Sequence, residues 1–334
     1  MRRVLHATLA IALGIVLAAC SKDKEQVPLD TSPIVTVIYP STGLGDRSYV
    51  DKIYLGAERA ALEGGVRVMH LVPDDLQEAQ ELVMEALEHD HDDDIRRLYI
   101  ITENGIEDQI EEFSKLVPDD KKRQFLFVET RLQLPGINSL YLPLYGVCYE
   151  AGVIASTMRD VHKAVAVVAN PNLEMLGEAS KAFKEGFGAG NVDTIYLSEE
   201  HEGFDMAGGL YQRAYDLDKE YQIAIPLCGG SAQGLFRYNR EFPADSFYTI
   251  GVDADMSEYS PRVPFSCVKH IDKAVLTSIR RWLKGTLPEH QILGLGSGYT
   301  ELVISQAYEE QFRPELNRIH AAAIKKENEY EKNL

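Results

Sequence analysis

The sequence contains few cysteines, a single tryptophan and little positive charge. Its four cysteines form no CxxC pair and show no metal-binding spacing, which argues against a zinc site or a redox motif. Only 34 Lys and Arg balance 52 Asp and Glu, so the net charge is −18. A surface this acidic argues against binding to nucleic acid and against direct binding to anionic lipid.

Catalytic and phosphate-binding motifs are missing as well. There is no P-loop, no GxSxG elbow and no HExxH run. Gly43-Leu44-Gly45 follows a predicted strand, but Ser48 stands where a dinucleotide-binding fingerprint needs its third glycine. Neighbouring residues of the run HDHDDD (89–94) cannot all converge on one ion, so a solvated loop is favoured over a metal site. We therefore expect no cofactor, no metal and no enzymatic reaction.

The amino-terminal segment has the pattern of a bacterial lipoprotein signal. Two arginines near the start precede a short apolar core at residues 9–17, and the sequence LAAC ends at Cys20. The apolar run is too short for a membrane-spanning helix. We predict that residues 1–20 are the signal with its lipobox. Cys20 would then carry a diacylglycerol and an acyl chain such as palmitate, the two anchors that stable attachment requires. The alternative is an ordinary secretory peptide with a chance cysteine.

Residues 21–33 are polar and charged, contain proline and show no periodicity, so they predict a flexible tether. Such a run after a lipidated cysteine resembles the surface-export signal of some lipoproteins, and a plain spacer is the alternative. The protein is therefore expected in the cell envelope, lipid-anchored and facing the periplasm or the cell surface. The 315 residues from Cys20 onward suit two domains.

Short β-branched runs alternate with helical stretches after the tether. The run from Ile34 to Tyr39 predicts a strand, and the apolar spacing of residues 49–63 predicts a helix. Near-continuous apolar runs predict parallel strands that are buried on both faces. The pattern restarts after residue 143, so we predict an α/β protein of two doubly wound parallel-sheet lobes joined by a hinge. Lobe 1 comprises residues 34–143 plus 246–290, and lobe 2 comprises residues 144–245 plus 291–330. Ligands of such sheets bind at the carboxyl ends of the strands, which predicts a cleft between the lobes.

The three cysteines beyond the predicted lipidation site each lie in an apolar run. They are Cys148, Cys228 and Cys267. Three is an odd number, so at most one disulfide can form among them in an oxidising compartment. Burial as small core residues is the favoured interpretation.

Four segments carry a resemblance to a known family. They are residues 45–49 (GDRSY), 149–152 (YEAG), 227–234 (LCGGSAQG) and 250–255 (IGVDAD), the last followed by SCVK at 266–269. Over about residues 34–304, the chain resembles the basic membrane protein (BMP) family of ABC-transporter substrate-binding lipoproteins, which includes purine nucleoside receptors. The resemblance implies a type I periplasmic-binding-protein fold. It also implies a purine nucleoside as the ligand, and an ABC permease and ATPase as partners.

The first segment places polar groups and a ring after a strand. The family has a run similar to Asp-Lys-Ser-Phe-Asn here, so Asp46, Ser48 and Tyr49 are predicted to bind the ligand, while Val50 replaces an amide. A carboxylate can accept hydrogen bonds from hydroxyls or amides, and a ring can stack on a flat base. The alternative is that Asp46 and Ser48 cap the next helix.

The run Gly-Val-Asp-x-Asp, with a lysine one strand later, is the strongest match. In the family the first Asp and this Lys resemble a pair that grips ribose. Asp253 is therefore predicted to bind two adjacent ligand hydroxyls, and Lys269 to donate to a ring oxygen or a hydroxyl. The alternative is an ion pair between them that orders the hinge. Glu129 ends a strand where the family tends to place an aspartate near the cleft, so it joins the predicted site.

Glycines and one more aromatic residue complete the predicted site. Tyr149 is expected to face the cleft, whereas Gly152 is expected to let a helix pack close to a sheet. Gly229 and Gly230 are predicted to let the backbone approach the ligand closely, and a tight strand-to-helix turn is the alternative.

Departures from the family pattern keep two other functions open. The family's glycine pair before a second-lobe helix reads Ala169-Asn170 here. One alternative is a sugar or other small-solute binding protein or sensor on the same fold. The other is an exported nucleoside-processing enzyme that uses an acid of the cleft. In each case we expect a monomer that binds a small molecule.

Overall fold

The computed structural model describes residues 30–334 with six exceptions, which are Asp90, Asp92, Asp120, Lys121, Glu200 and Asp245. The predicted signal, its Cys20 and most of the predicted tether lie outside the described residues. Within the described part, no helix is long and apolar enough to cross a membrane.

Among the residues described, six strands build the first sheet: β1 (Ile34–Ile38), β2 (Arg67–Leu71), β3 (Arg97–Ile101), β4 (Arg123–Val128), β5 (Asn138–Tyr141) and β12 (His290–Ile292). They are all parallel and lie in the order β12-β5-β4-β3-β1-β2. β3 is buried along its whole length, and β1 from its second residue onward. Such burial suits apolar strands that are covered on both faces, and it confirms the predicted α/β class.

Seven more strands of the described chain build two further sheets: β6 (Ala164–Val168), β7 (Val192–Tyr196), β8 (Ile223–Leu227), β9 (Tyr248–Thr249), β10 (Gly251–Asp253), β11 (Phe265–Lys269) and β13 (Thr300–Ile304). One has the order β7-β6-β8-β9 and is parallel. The other has the order β10-β11-β13, and β13 runs antiparallel to β11. Ile250, between β9 and β10, donates its N–H to the carbonyl of Ala224 in β8 at 2.8 Å, so the two sheets adjoin.

Nine α-helices of the described chain cover the sheets: α1 (Tyr49–Glu63), α2 (Leu76–Glu88), α3 (Ile110–Leu116), α4 (Tyr145–Ser156), α5 (Glu174–Phe187), α6 (Ala207–Glu220), α7 (Gln233–Glu241), α8 (Ile271–Leu283) and α9 (Glu309–Glu331). α1 packs against α8, and both contribute to one core with β1 and β3 through side chains such as Ile53 and Trp282. α9 packs against α4.

The hydrophobic cores divide these elements into two lobes. The first lobe holds β1 to β5, β12, α1 to α3 and α8, and the second lobe holds β6 to β11, β13, α4 to α7 and α9. The chain crosses between the lobes after β5, between β11 and α8, and after β12. The hinge that the sequence predicts would lie at these crossings.

One predicted segment lies in the other lobe. The sequence predicts residues 246–290 in the first lobe, but β9, β10 and β11 extend the sheets of the second lobe. Phe265 and Cys267 belong to the second-lobe core, whereas Ile271 and Trp282 belong to the first. The chain therefore enters the first lobe for the second time only after Lys269.

Two glycines bring the backbones of α4 and α5 into contact. A Cβ atom on Gly152 would lie 2.3 Å from the carbonyl oxygen of Phe183, and one on Gly186 would lie 2.3 Å from that of Tyr149. Both distances are far below van der Waals contact, so only glycine permits this helix crossing. The close packing expected at Gly152 is therefore against a helix rather than a sheet.

The three described cysteines carry free, buried thiols. Cys148, Cys228 and Cys267 are less than 2% exposed, and Cys267 Sγ donates to the carbonyl of Val147 at 3.8 Å. This confirms their interpretation as small core residues. In the acidic run near residue 90, the carboxylate of Asp93 forms a bidentate ion pair with Arg97.

Candidate functional site

A cavity of about 310 Å³ lies between the lobes, where strands of both lobes end. Six predicted site residues line it: Asp46, Tyr49, Gly229, Gly230, Asp253 and Lys269. Ser48, Glu129 and Tyr149 do not line this cavity.

Asp46 holds the first turn of α1. Its Oδ1 accepts from the N–H groups of Ser48 at 2.9 Å and Asp51 at 3.2 Å, and its Oδ2 accepts from the N–H of Val50 at 2.9 Å and the hydroxyl of Ser48 at 3.0 Å. A carboxylate offers about four lone-pair positions, and all four are used here. The geometry thus supports the capping alternative for Asp46. Ser48 is buried and directed to Asp46.

Tyr49 presents a buried aromatic ring and an unpartnered hydroxyl. The residue is 8% exposed, and its hydroxyl oxygen has no hydrogen-bond partner among the described residues. Burial, together with the nearby Glu129 and Asp253, raises the pKa of this phenol well above its ordinary value, so the hydroxyl keeps its proton at neutral pH. It can donate one hydrogen bond and accept others. Tyr49 lines the cavity, and its hydroxyl is a buried, unsatisfied polar group at that place.

Asp253 lies at the end of β10 in an unusual backbone conformation. Its φ is +65°, and the N–H of Ala254 donates to the carbonyl of Val252 at 2.8 Å, which closes a three-residue turn around it. The side chain lines the cavity, and no hydrogen bond joins its carboxylate to another described residue. Burial raises the pKa of Asp253, and the cation of Lys269 opposes that shift. An acceptor is thus held open toward the cavity.

Lys269 forms its ion pair with an acid of the other lobe. Its Nζ donates to Oε1 of Glu129 at 3.1 Å, and the two side chains are 1% and 0% exposed. The alternative role predicted from the sequence is an ion pair between Lys269 and Asp253. Lys269 does form an ion pair, but its partner is Glu129. Nζ also lies 5.6 Å from the ring centroid of Tyr49.

Glu129 lies beside the main cavity. It lines a second cavity of about 120 Å³, which shares Asn104 and Met175 with the larger one. Its backbone has a φ of +65°, and its Oε2 is buried without a hydrogen-bond partner among the described residues. Burial raises the pKa of Glu129, and the charge of Lys269 opposes the shift. Glu129 thus fixes Lys269 from the first lobe.

Tyr149 is directed away from the cavity. It lies in α4, and Nζ of Lys326 in α9 lies 4.9 Å from its ring centroid. The α4–α9 contact places the ring between two helices of the second lobe. The structure therefore differs from the expectation that Tyr149 faces the cleft, because the helical register turns its side chain toward α9.

Gly229 and Gly230 form a tight turn between β8 and α7. A Cβ atom on Gly229, whose φ is +49°, would lie 3.0 Å from the ring of Phe204. A Cβ atom on Gly230 would lie 3.1 Å from the carbonyl oxygen of Phe204. The absence of side chains at these two positions therefore makes room for Phe204. Both glycines fit the alternative interpretation, a tight strand-to-helix turn.

Comparison with known protein families identifies the family to which the chain belongs. Residues 33–333 match the family model Bmp, described as "ABC transporter substrate-binding protein PnrA-like". The chain belongs to this family. Two similar curated proteins are named uncharacterized lipoproteins. The one from Pyrococcus abyssi is 24% identical over 88% of this chain and 76% of its own length. The one from Pyrococcus horikoshii is 26% identical over 80% of this chain and 69% of its own length.

Solved structures share the fold of this Bmp protein. A solute-binding protein of an ABC transporter system from Aeropyrum pernix K1 matches with a TM-score of 0.68 and 20% identity, over 89% of this chain and 86% of its own. A periplasmic solute-binding protein from Actinobacillus succinogenes 130z, solved with bound D-allose, matches with a TM-score of 0.60 and 14% identity, over 83% and 99%. The type I periplasmic-binding fold is thereby confirmed. Because the family model that matches residues 33–333 describes ABC-transporter substrate-binding proteins, the chain is a substrate-binding protein rather than an enzyme.

The Bmp protein also presents residues that sequence reasoning missed. Phe204, from a turn before α6, adds a second aromatic ring to the cavity, and Asn104 adds an Oδ1 without a partner among the described residues. Nε2 of Gln233 reaches the carbonyl of Asp46 in the other lobe at 3.5 Å. Gln233 lies within the glycine-rich segment at residues 227–234, and Asn104 follows β3, so their positions in the sequence could have indicated both. No pattern marks Phe204.

Proposed function

We propose that this protein binds a purine nucleoside in the cavity between its lobes and delivers it to an ABC permease and ATPase. The observation that carries the proposal is a pair of groups on the cavity, the hydroxyl of Tyr49 and the carboxylate of Asp253. The hydroxyl of Tyr49 has no hydrogen-bond partner among the described residues, and only burial and nearby charges, not hydrogen bonds, act on the carboxylate of Asp253 there. A ribose hydroxyl pair suits the carboxylate, and the rings of Tyr49 and Phe204 suit a flat base.

The charges on the cavity favour a neutral ligand. Asp46, Asp205 and Asp253 line it, and the positive charge of Lys269, which also lines it, is paired with Glu129. An anionic solute would meet an excess of negative charge at short range, in surroundings where charges interact strongly. A neutral solute rich in hydroxyl and amide donors satisfies the acceptors instead.

A sugar is the second candidate ligand. Tyr49 and Asp253 also suit a ring that carries several hydroxyls, and the structural neighbour from Actinobacillus succinogenes holds D-allose. A sugar needs only one aromatic face, whereas a nucleoside uses a base-binding side as well. The two ligand classes are separated by the experiment below.

Thermal unfolding of the purified protein tests the ligand. At about 100 times its dissociation constant, inosine, adenosine or guanosine is expected to raise the Tm by about 4 °C, because a ligand that binds only the folded state stabilises it by about 3 kcal/mol. Asp253→Asn should remove most of this shift. The matched control is Asp255→Asn, since Asp255 is exposed and caps the N–H of Ser257 at 2.9 Å. If D-allose or D-ribose raises the Tm and no nucleoside does, the nucleoside proposal is wrong and the ligand is a sugar.

Membrane attachment through Cys20 is a separate part of the proposal. It rests on the LAAC sequence and on the two similar proteins that are named lipoproteins. Cys20→Ser in the native host is expected to move the protein from the membrane fraction to the soluble fraction and to abolish incorporation of labelled palmitate. The control is Cys148→Ser, a buried thiol. Retention of the Cys20→Ser variant in the membrane fraction would contradict the lipid anchor.

A further inference from the structure

Lys52 connects α1 of the first lobe to two strand ends of the second lobe. Its Nζ donates to the carbonyl oxygen of Lys269 at 2.8 Å and to that of Asp253 at 3.2 Å. Nζ also lies 4.0 Å from Oδ1 of Asp272. Lys52 does not line the cavity, but both carbonyls belong to residues whose side chains do.

The backbone at Asp253 needs such support. A non-glycine residue with a φ of +65° at the centre of a three-residue turn is strained, and strained residues persist only where their surroundings hold them. A hydrogen bond from a charged ammonium is among the stronger contacts available to a carbonyl. The side chain of Lys52 is 17% exposed, so water competes little for its proton donors.

We propose that Lys52 is a positioning residue that holds Asp253 in the turn that directs its carboxylate into the cavity. It acts through the carbonyl oxygens of Asp253 and Lys269 and not by touching the ligand. Since Lys52 belongs to the first lobe and Asp253 to the second, the binding geometry of Asp253 depends on the contact between the lobes. The binding test below rests on the proposed function, whereas the exchange test does not.

Arg59 supplies a matched control on the same helix. Its Nη1 lies 3.2 Å from Oδ2 of Asp272, the acid that also faces Lys52, but it makes no contact with the two carbonyls. Arg59→Met therefore removes a cation from Asp272 and leaves the carbonyl contacts intact. Lys52→Met removes a cation from Asp272 and also removes the hydrogen bonds to the two carbonyl oxygens. Lys52→Arg keeps donors for the carbonyls, so it should rescue the function of Lys52.

Hydrogen exchange of the ligand-free protein is the first test. The N–H of Ala254 closes the turn around Asp253, so its exchange rate reports opening of that turn. Lys52→Met is expected to speed exchange of the peptide around residues 250–256 by about tenfold or more, which corresponds to the loss of one charge-assisted hydrogen bond. Arg59→Met and Lys52→Arg should stay within about twofold of the unmodified protein. If Lys52→Met does not fold, Lys52→Gln replaces it. Unchanged exchange overturns the proposal.

A double-mutant cycle is the second test and uses whichever of inosine, adenosine, guanosine or D-allose binds the unmodified protein. Asp253→Asn is expected to weaken binding by about 10–100-fold in the unmodified protein and by less than about threefold in the Lys52→Met background, because Lys52 acts through Asp253. If Lys52 had a merely structural role, Asp253→Asn would weaken binding by the same factor in the Lys52→Met background as in the unmodified protein. That result overturns the proposal. If none of these probes binds, the proposed function fails, while the exchange test still decides the role of Lys52.

Discussion

Lys269→Met is expected to lower the free energy of unfolding by about 3–5 kcal/mol at pH 7. The change removes the cation from a buried ion pair and leaves the carboxylate of Glu129 in the protein interior without a compensating positive charge. Denaturant titration with a two-state analysis measures the loss. Lowering the pH should restore part of the stability, because the isolated carboxyl of Glu129 then takes up a proton.

A second substitution distinguishes the loss of the Lys269–Glu129 ion pair from a general loss of packing in the core. Adding Glu129→Gln to Lys269→Met should recover most of the loss, since no charge then remains buried. Lys284→Met is the control, because Lys284 is an exposed lysine just after α8 and should change stability by less than about 0.5 kcal/mol. A loss below about 1 kcal/mol for Lys269→Met alone would show that Glu129 has another partner.

Stability is expected to fall as the pH rises from about 5 to 8, because two carboxyl groups are buried near α4 and α9. Burial and the nearby Glu327 raise the pKa of Glu150 to about 8. Burial raises the pKa of Glu327 to about 7, although it accepts the N–H groups of Gly146 at 2.9 Å and Leu295 at 2.8 Å. Oε1 of Glu150 also lies 2.7 Å from Nδ1 of His320.

The direction of the change in stability with pH follows from the raised pKa values of Glu150 and Glu327. The folded protein holds these two protons more tightly than the unfolded chain, whose glutamates titrate near 4.5. The stability they provide is fully present below about pH 4.5 and is lost as the pH rises through 7 and 8. At pH 8, Glu150→Gln is therefore expected to raise the free energy of unfolding by about 1–4 kcal/mol and to flatten the pH profile.

Unfolding midpoints measured between pH 5 and 8 check this expectation. Glu310→Gln is the control, because Glu310 is an exposed glutamate in the first turn of α9 and should leave the profile unchanged. A Glu150→Gln variant with the same pH slope as the unmodified protein would contradict the burial of a titrating carboxyl at this position.

The fold was predictable where each element carries its own pattern. The helix at residues 49–63 has the bounds that its apolar spacing predicts. The lobe assignment of β9 to β11 was not predictable, because an apolar strand pattern does not state which sheet the strand joins. β12, three residues long and containing His290 and Gln291, has no apolar pattern at all.

The site was predictable where residue type and position at a strand end coincide. Asp253 and Tyr49 were placed near the cavity in this way. The partner of Lys269 was not predictable, since Glu129 lies 140 residues away in the chain. The saturation of Asp46 by four hydrogen bonds depends on the local turn geometry and not on residue type. Lys52 gives no sequence signal, because a lysine in an amphipathic helix is ordinarily exposed.

The most direct measurement is a crystal structure of the protein with the solute that raises its Tm most. The account predicts a nucleoside in the cavity between the lobes, with a ribose hydroxyl within hydrogen-bond distance of the Asp253 carboxylate and the base against the ring of Tyr49. Lys52 should still contact the carbonyl of Asp253 in that complex. A solute bound outside this cavity, or bound inside it without contact to Asp253 and Tyr49, would contradict the account.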